Sequence, residues 1–238
     1  MMDWLTLPLD GTRAHEVGSA VAWHGRILVL AWGILSPLAV IAARFFKIMP
    51  GQDWPRELDN TTWWRTHKHG QTTVFVLTVA GISMTLFGAG SPGPYFVHEW
   101  LGYGVLALLA LQVLLGYVRG SKGGPTAPAP DGSLRSDHYD MTARCGACEK
   151  SHKTPGYALL LLSAATITFG LWLANAPRWM ALVNKRWWTR LLVLGLALQR
   201  RGWAADTYQA IWGPDPSHPG NCMPSQGRGL RRRTGRTW

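Results

Sequence analysis

Four long apolar segments, separated by polar connections, dominate the pattern of the chain. They cover residues 27–46, 72–89, 101–118 and 157–174, and Arg44 is the one charged residue within them. Each is close to the roughly 20 residues that a helix needs to cross the hydrocarbon core of a bilayer. Their apolar positions run continuously instead of alternating, as is typical of membrane helices. The pattern therefore predicts an all-α membrane protein with a bundle of four core transmembrane helices.

A fifth segment, residues 176–202, is apolar but carries Lys185, Arg186 and Arg190. Each would cost about 2.5–3.5 kcal/mol at the centre of a membrane helix. Basic residues are dense in the connections between the first and second and between the third and fourth apolar segments, and absent from the connection between the second and third. Because cytoplasmic loops carry an excess of Lys and Arg, the two basic connections are expected on the cytoplasmic side. Crossing by the fifth segment would place the arginine-rich tail there too. We therefore expect it to cross, with Lys185 and Arg186 snorkelling; the alternative is a helix lying in the interface.

This pattern predicts one membrane domain over residues 23–199. A short N-terminal segment, 1–22, precedes it and has neither the basic start nor the apolar core of a signal peptide. A basic tail, 200–238, is expected to be disordered and cytoplasmic, as is the Gly/Pro-rich loop at 120–138. The predicted location is the cell membrane, multi-pass, with the N-terminus outside and the C-terminus cytoplasmic.

Composition supports a membrane protein over a nucleic-acid-binding one. The chain has 238 residues and a net charge of +11, but only 16% of its residues are charged, against about 25% in soluble domains. Its basic residues cluster between apolar runs, so nucleic acid is not an expected partner. Three cysteines provide no disulfide framework. In "RCGACEKSH" Glu149 replaces the histidine that covalent haem attachment needs, so Cys145 and Cys148 are interpreted as a reduced loop pair.

Histidines stand at the N-terminal ends of four successive apolar segments: His24, His67 or His69, His98 and His152. Successive helices with short connections run antiparallel. His24 and His98 should therefore share the outer side, while His67 and His152 share the cytoplasmic side. The chain thus predicts two facing histidine pairs at opposite membrane depths.

Two facing imidazoles can hold a haem iron from both axial positions, which suits electron transfer better than oxygen chemistry. Nearby basic residues, Arg26, Arg119 and Lys122, are candidate partners for haem propionates. A second interpretation is that the histidines are interfacial and bind nothing. A zinc or copper site is a third, although such sites usually need three or four protein ligands in one place. No catalytic residue is predicted, and His15, His138 and His218 fall in expected loops.

Residues 20–175 resemble the cytochrome b-561 family, specifically the membrane module that follows a DOMON domain in many proteins. The similarity is carried in order by "WHGRILVLAWGILSPLAVIAARFF", "WWRTHKHGQ", "HEWLGYGVLALLALQVLLG" and "SHKTPGYALLLLSAATITFGLWL". The resemblance implies two non-covalent b-type haems, ligated by the first with the third histidine and the second with the fourth. It also favours His67 over His69, because the family pattern has His and Gln four apart, as in His67 and Gln71. Only about 20 residues precede the match, so no DOMON domain is expected in this chain.

The expected function is transmembrane electron transfer, in the oxidoreductase class. The resemblance implies a cytoplasmic-side donor, a small molecule such as ascorbate or a quinol, and an acceptor on the other face that the sequence does not name. A homodimer is one assembly considered. The competing class is a non-redox transporter or assembly subunit whose histidines relay protons or bind metal.

Overall fold

A computed structural model describes residues 2–46, 62–88, 96–118 and 143–200. These residues are almost entirely helical, and the one β-type pairing among them is an isolated bridge between Pro8 and Pro177. The helices are α1 Met2–Thr6, α2 Ser19–Leu28, α3 Ser36–Phe45, α4 Thr62–Gly88, α5 Phe96–Val118, α6 Ala143–Leu173 and α7 Arg178–Arg200. A π-helical segment, Val29–Leu35, joins α2 to α3, so Ser19–Phe45 forms one long helix. The all-helical prediction is confirmed; the loop at 120–138 and nearly all of the tail, from residue 201, lie outside the described residues.

Three helices in the described parts of the chain are long and apolar enough to cross a membrane: Ser19–Phe45, Val97–Val118 and Lys150–Leu173. They contain three of the four predicted core segments, and the chain is a helical membrane protein. The remaining predicted segment lies in α4, which is 27 residues long but more polar. The count of four core spans therefore stays a prediction.

The polarity of α4 comes from the basic and amide side chains of its first turns and, further along, from hydroxyl side chains that are satisfied within the helix. Thr72, Thr73, Thr78 and Ser83 each donate a hydrogen bond of 2.7–2.9 Å to the carbonyl four residues earlier. Such bonds let Ser and Thr lie inside helices without leaving an unpaired hydroxyl in an apolar environment. These residues lower the hydropathy of α4 without preventing it from packing inside a membrane bundle.

The π-helical segment lies just before Pro37, which has no N–H to donate to the carbonyl of Gly33. In the structure the Gly33 carbonyl accepts a hydrogen bond from the indole Nε1–H of Trp187 on α7, at 2.5 Å. A neighbouring helix thus supplies a donor where proline removes one. This contact docks α7 against the long first helix.

Two antiparallel helix pairs make up the centre of the fold: the long first helix with α4, and α5 with α6. Gly70 permits close approach of α4 to α3, because a Cβ there would lie 2.9 Å from the Cβ of Ala39. Trp32 is 3% exposed and donates from Nε1 to the hydroxyl of Thr78 at 3.0 Å. The buried apolar cluster between the pairs contains Ala31, Trp32, Val74, Val105, Leu109 and Leu159.

Helix α7 runs along the bundle beside α6 and the first helix. It buries Leu198 near its C-terminal end, where Gln199 also accepts a hydrogen bond of 2.7 Å from Arg44 on α3. With its three internal cations, α7 is not among the candidate spans of the described residues. That this segment crosses the membrane stays a prediction.

The N-terminal segment packs on the turn between α6 and α7. Asn175 in this turn is 2% exposed, has a φ of 46°, and donates from Nδ2 to the carbonyls of Asp10 and Arg13 at 3.0 and 2.7 Å. Its Oδ1 accepts from the backbone N–H of Asp10 at 2.7 Å. We call residues 7–15 the N-terminal strap. Hydrogen bonds from the Thr12 side chain and backbone, and then from Arg13, lower the pKa of Asp10 from 3.8 to about 2.

The interpretation of "RCGACEKSH" as a loop is wrong, because α6 begins at Ala143 and includes this stretch. The sequence from Ala143 to Lys153 contains one glycine and no proline, so the helix extends well before the apolar run. Pro155 lies inside α6 and is tolerated there. Cys148 is a half-buried free thiol, and the side chain of Cys145 lies outside the described residues.

Candidate functional site

His24 and His98 face each other across the two helix pairs, and we call them the first pair. His24 lies in α2 and His98 near the start of α5. Their ring centres are 6.2 Å apart and their planes are inclined by 73°. Both side chains are half-buried, so the gap between them is bounded by protein.

His67 and His152 form the second pair, with ring centres 6.1 Å apart and an interplanar angle of 82°. His67 lies in the second turn of α4, and His152 in the N-terminal half of α6. His69 is exposed and takes no part in the pair, because residues two apart point to different helix faces. The structure thus brings together four of the residues considered from the sequence, as two separate pairs.

Backbone carbonyls anchor three of the four imidazoles through Nδ1. The contacts are His24 to Gly81 at 2.9 Å, His67 to Ala39 at 3.1 Å and His98 to Thr166 at 3.1 Å. A carbonyl oxygen only accepts hydrogen bonds, so Nδ1 carries the proton and Nε2 keeps its lone pair. Each anchoring carbonyl belongs to the helix that packs antiparallel to the histidine's own helix. Packing within each helix pair therefore sets the orientation of the ring.

The spacing within each pair matches a single metal ion bound between two rings. Metal–imidazole nitrogen bonds are about 2 Å long, so a shared ion requires ring centres roughly 6 Å apart. Within the described residues, no group of three or more His, Cys, Asp or Glu side chains could hold a metal ion. Each pair therefore offers two protein ligands, and an ion bound there must obtain its other ligands from a different source.

The two pairs lie near opposite ends of the bundle. His24 belongs to the first pair, and Ala39, which anchors the second pair, is 15 residues further along the same long helix. At the usual helical rise this corresponds to roughly 22 Å. The buried side chain of Trp32 lies about midway between them along the helix.

Glycines flank both pairs. A Cβ at Gly170 would lie 3.0 Å from Cε1 of His98, whereas one at Gly116 would lie 3.7 Å from Cε1 of His152. Gly25 and Gly102, which follow His24 and His98 by one and four positions, are half-buried, yet a Cβ at either would meet no atom within 4 Å. The first pair therefore has unfilled space beside it.

The basic residues considered from the sequence are only partly described. Arg26 is exposed, and its guanidinium carbon lies 5.1 Å from the centre of the Trp23 ring. It is two residues after His24. Arg119 and Lys122 lie outside the described residues. Near the second pair, Lys68 lies 5.1 Å from the centre of the Trp64 ring, a cation–π contact.

Sequence reasoning missed the backbone anchors and the glycine at His98. A carbonyl acceptor cannot be read from residue type, because every residue has one. Gly170 and Gly116 are small residues of the kind that suits close helix contact. The sequence did not show which of them would touch an imidazole.

Curated relatives of this chain are plant proteins. Three cytochrome b561 and DOMON domain-containing proteins of Arabidopsis thaliana match at 26% identity over 150 residues, 28% over 149 and 32% over 107. The chain resembles cytochrome b561 proteins. The first two matches cover 62% of this chain but only 31% and 30% of the relatives, so the chain spans about a third of their length. No family model and no solved structure matches it.

Proposed function

We propose that this protein carries electrons across a membrane through two non-covalent b-type haems. In this proposal His24 and His98 hold one haem, and His67 and His152 hold the other. The relatives support it, because each is named as a cytochrome b561 protein. The alternative is a non-redox transporter or assembly subunit, and the test below distinguishes it from an electron carrier.

The observation that carries the proposal is the pair of facing imidazoles, found twice. In three of the four rings Nδ1 is committed to a carbonyl, which leaves Nε2 as a lone-pair donor. Two Nε2 acceptors on rings at this spacing can share one metal ion. Haem suits a two-ligand site, because the porphyrin provides the remaining four nitrogen ligands of the iron.

The residues present fit such a group. The haem, when bound, supplies reversible one-electron exchange at its iron. Two histidines would hold each haem and would leave no position at the iron for oxygen to bind. The carbonyl anchors would fix the orientation of the three rings toward the cofactor. The space beside Gly25 and Gly102 suits a planar ring edge, and Arg26, Arg119 and Lys122 are proposed propionate partners.

The proposal includes a topology. Helix α4, at 27 residues, would be the fourth span, since it packs between the other helices along its length. Helix α7 would be the fifth, because it begins beside the N-terminal strap and ends beside Arg44 at the other end of the bundle. The N-terminus would then lie outside the cell membrane and the C-terminus in the cytoplasm. A small-molecule or quinol donor would act at the second pair, and the acceptor at the first.

A spectroscopic haem count on purified protein tests this function. We expect dithionite-reduced minus oxidised spectra with b-type bands, and two haems per chain by pyridine haemochromogen assay. His98→Ala should remove only the haem of the first pair, and His152→Ala only that of the second. His69→Ala is the matched control and should retain both haems, because this ring faces neither pair.

A preparation that is folded but contains no haem would favour the transporter or assembly-subunit alternative. Loss of both haems in either single alanine variant, with helix content unchanged, would contradict two independent sites. Loss of a haem in His69→Ala would contradict the assignment of His67.

A further inference from the structure

Helix α7 presents three cations on one face, away from the bundle centre. Lys185, Arg186 and Arg190 are all exposed, whereas Trp187 and Leu198 face inward to the Gly33 carbonyl and the core. At about 100° per residue the three cations fall on one continuous arc of the helix. We call this arc the cationic face.

The surroundings of the cationic face are apolar. On the same helix Val183, Leu192 and Val193 are 56%, 64% and 58% exposed. Within the described parts of the chain none of the three cations forms an ion pair; the salt bridge found there joins Arg13 and Asp10. In the proposed topology, in which α7 crosses the membrane, such cations are rare and are usually paired with another group.

The helical segments of a second copy of this chain would offer no acidic side chain to the cationic face. The sequence has no Asp or Glu in Ser19–Phe45, Thr62–Gly88, residues 100–118, residues 151–173 or Arg178–Arg200. All the acidic residues of the sequence fall outside these five segments. A lipid with an anionic headgroup is therefore a more direct source of counter-charge for the cationic face than a second copy of these helices.

A cleft of about 620 Å³ between α6 and α7 adjoins this face. Its lining is mainly apolar but also contains hydrogen-bonding side chains and one cation: Leu171, Trp172, Ala181, Trp188, Thr168, Asn184, Thr189 and Lys185. The volume lies in the usual range for ligand sites, about 300–1,000 Å³. A mainly apolar cleft that contains one lysine, with two further cations on the same helix, is complementary to a molecule with a hydrocarbon chain and an anionic headgroup.

We propose that the cleft and the cationic face form a site for one anionic phospholipid. Its acyl chain lies in the cleft, and its phosphate is held at Lys185, with Arg186 and Arg190 contributing charge. Basic sites between transmembrane helices recognise anionic headgroups in this way. The site uses a different face of α6 from the one that contacts His98, so its test does not depend on haem binding.

Native mass spectrometry of the solubilised full-length protein tests the site. The protein is incubated with equimolar phosphatidylcholine and phosphatidylglycerol of the same acyl chains. We expect one phosphatidylglycerol to be retained with a preference of roughly a hundredfold, since three basic residues contribute to one headgroup. Combining Lys185→Gln, Arg186→Gln and Arg190→Gln should abolish the preference. Combining Lys185→Arg, Arg186→Lys and Arg190→Lys keeps the charge and should retain it.

Ala181→Leu tests the cleft separately from the charges. The larger side chain should reduce retention of both lipids while leaving helix content unchanged by circular dichroism. Phosphatidylglycerol should also raise the melting temperature of the wild type but not of the neutral triple variant.

Three results would overturn the proposal: equal retention of the two lipids by the wild type, an unchanged preference in the neutral triple variant, or an acidic protein partner that occupies the cationic face and excludes phosphatidylglycerol.

Discussion

Gly170→Ala should disturb the first histidine pair and leave the second intact. The added Cβ would lie 3.0 Å from Cε1 of His98, closer than carbon atoms normally approach. The imidazole must therefore move by a few tenths of an ångström. Its Nδ1 is held by the Thr166 carbonyl at 3.1 Å, so the movement strains that hydrogen bond or displaces Nε2 from the gap.

The magnitude follows from the crowding. Inserting a methyl group into a well-packed site typically costs about 1–3 kcal/mol. Since each 1.4 kcal/mol is about a factor of ten, we expect haem affinity at the first pair to fall by one to two powers of ten. Alanine is favoured over glycine within a helix by about 1 kcal/mol, so general destabilisation of α6 would not explain such a loss.

Gly116→Ala is the matched control. It makes the same chemical change in a helix, but its Cβ would lie 3.7 Å from Cε1 of His152, an ordinary van der Waals contact. Gly70→Ala provides the reciprocal test, because its Cβ would lie 2.9 Å from Ala39, whose carbonyl anchors His67. It should disturb the second pair and spare the first.

The assay is haem retention and a redox titration of each purified variant, with His98→Ala and His152→Ala as references for the two single-haem spectra. Gly170→Ala should lose or shift the component missing from His98→Ala. If Gly170→Ala retained both haems at wild-type potentials, or if Gly116→Ala were equally damaging, the steric reasoning would be wrong.

Trp187→Phe should lower the melting temperature by about 2–4 °C for each kcal/mol lost, because it leaves the Gly33 carbonyl without this donor. Trp188→Phe, which loses a bond within α7, should cost less. Asn175→Ala and Asn175→Gly both remove the hydrogen bonds to the strap. Alanine is also strained at the positive φ of this position, so differential scanning calorimetry should show the alanine variant to be about 1 kcal/mol less stable than the glycine variant. Asp10 stabilises the strap above its unfolded pKa of 3.8 and loses this effect as pH falls through about 2. Cleavage of the strap by pepsin should therefore increase as the pH is lowered over that range. Asp10→Asn should remove this pH dependence of cleavage.

The helices and the facing of the histidines followed from simple regularities of the chain. An apolar run of membrane-spanning length has few alternatives to a helix, because backbone groups in lipid must be bonded within the segment. Antiparallel order then determines which N-terminal ends meet, so the partners of His24 and His67 could be inferred without side-chain detail.

Other features depend on tertiary contacts that leave no periodic pattern. The N-terminal strap relies on Asn175, one polar residue in a turn whose partners are backbone carbonyls more than 160 positions away. Helix α6 extends back to Ala143 through a polar stretch, where hydropathy gives no indication of helix. The polar first turns of α4 and its hydroxyl side chains lower the apolar signal of that helix, although the hydroxyl hydrogen bonds are satisfied locally.

Each histidine pair takes one ring from each of the two helix pairs, so it forms only where the helix pairs associate. The first helix and α4 provide His24 and His67 with their anchors, while α5 and α6 provide His98 and His152. A cofactor bound between the halves would stabilise their association by mass action, because only the assembled bundle presents both ligands. On the proposed function, haem binding is therefore part of folding: the pairs α2–α4 and α5–α6 should associate more weakly without haem, and each haem should strengthen the same interface at a different end.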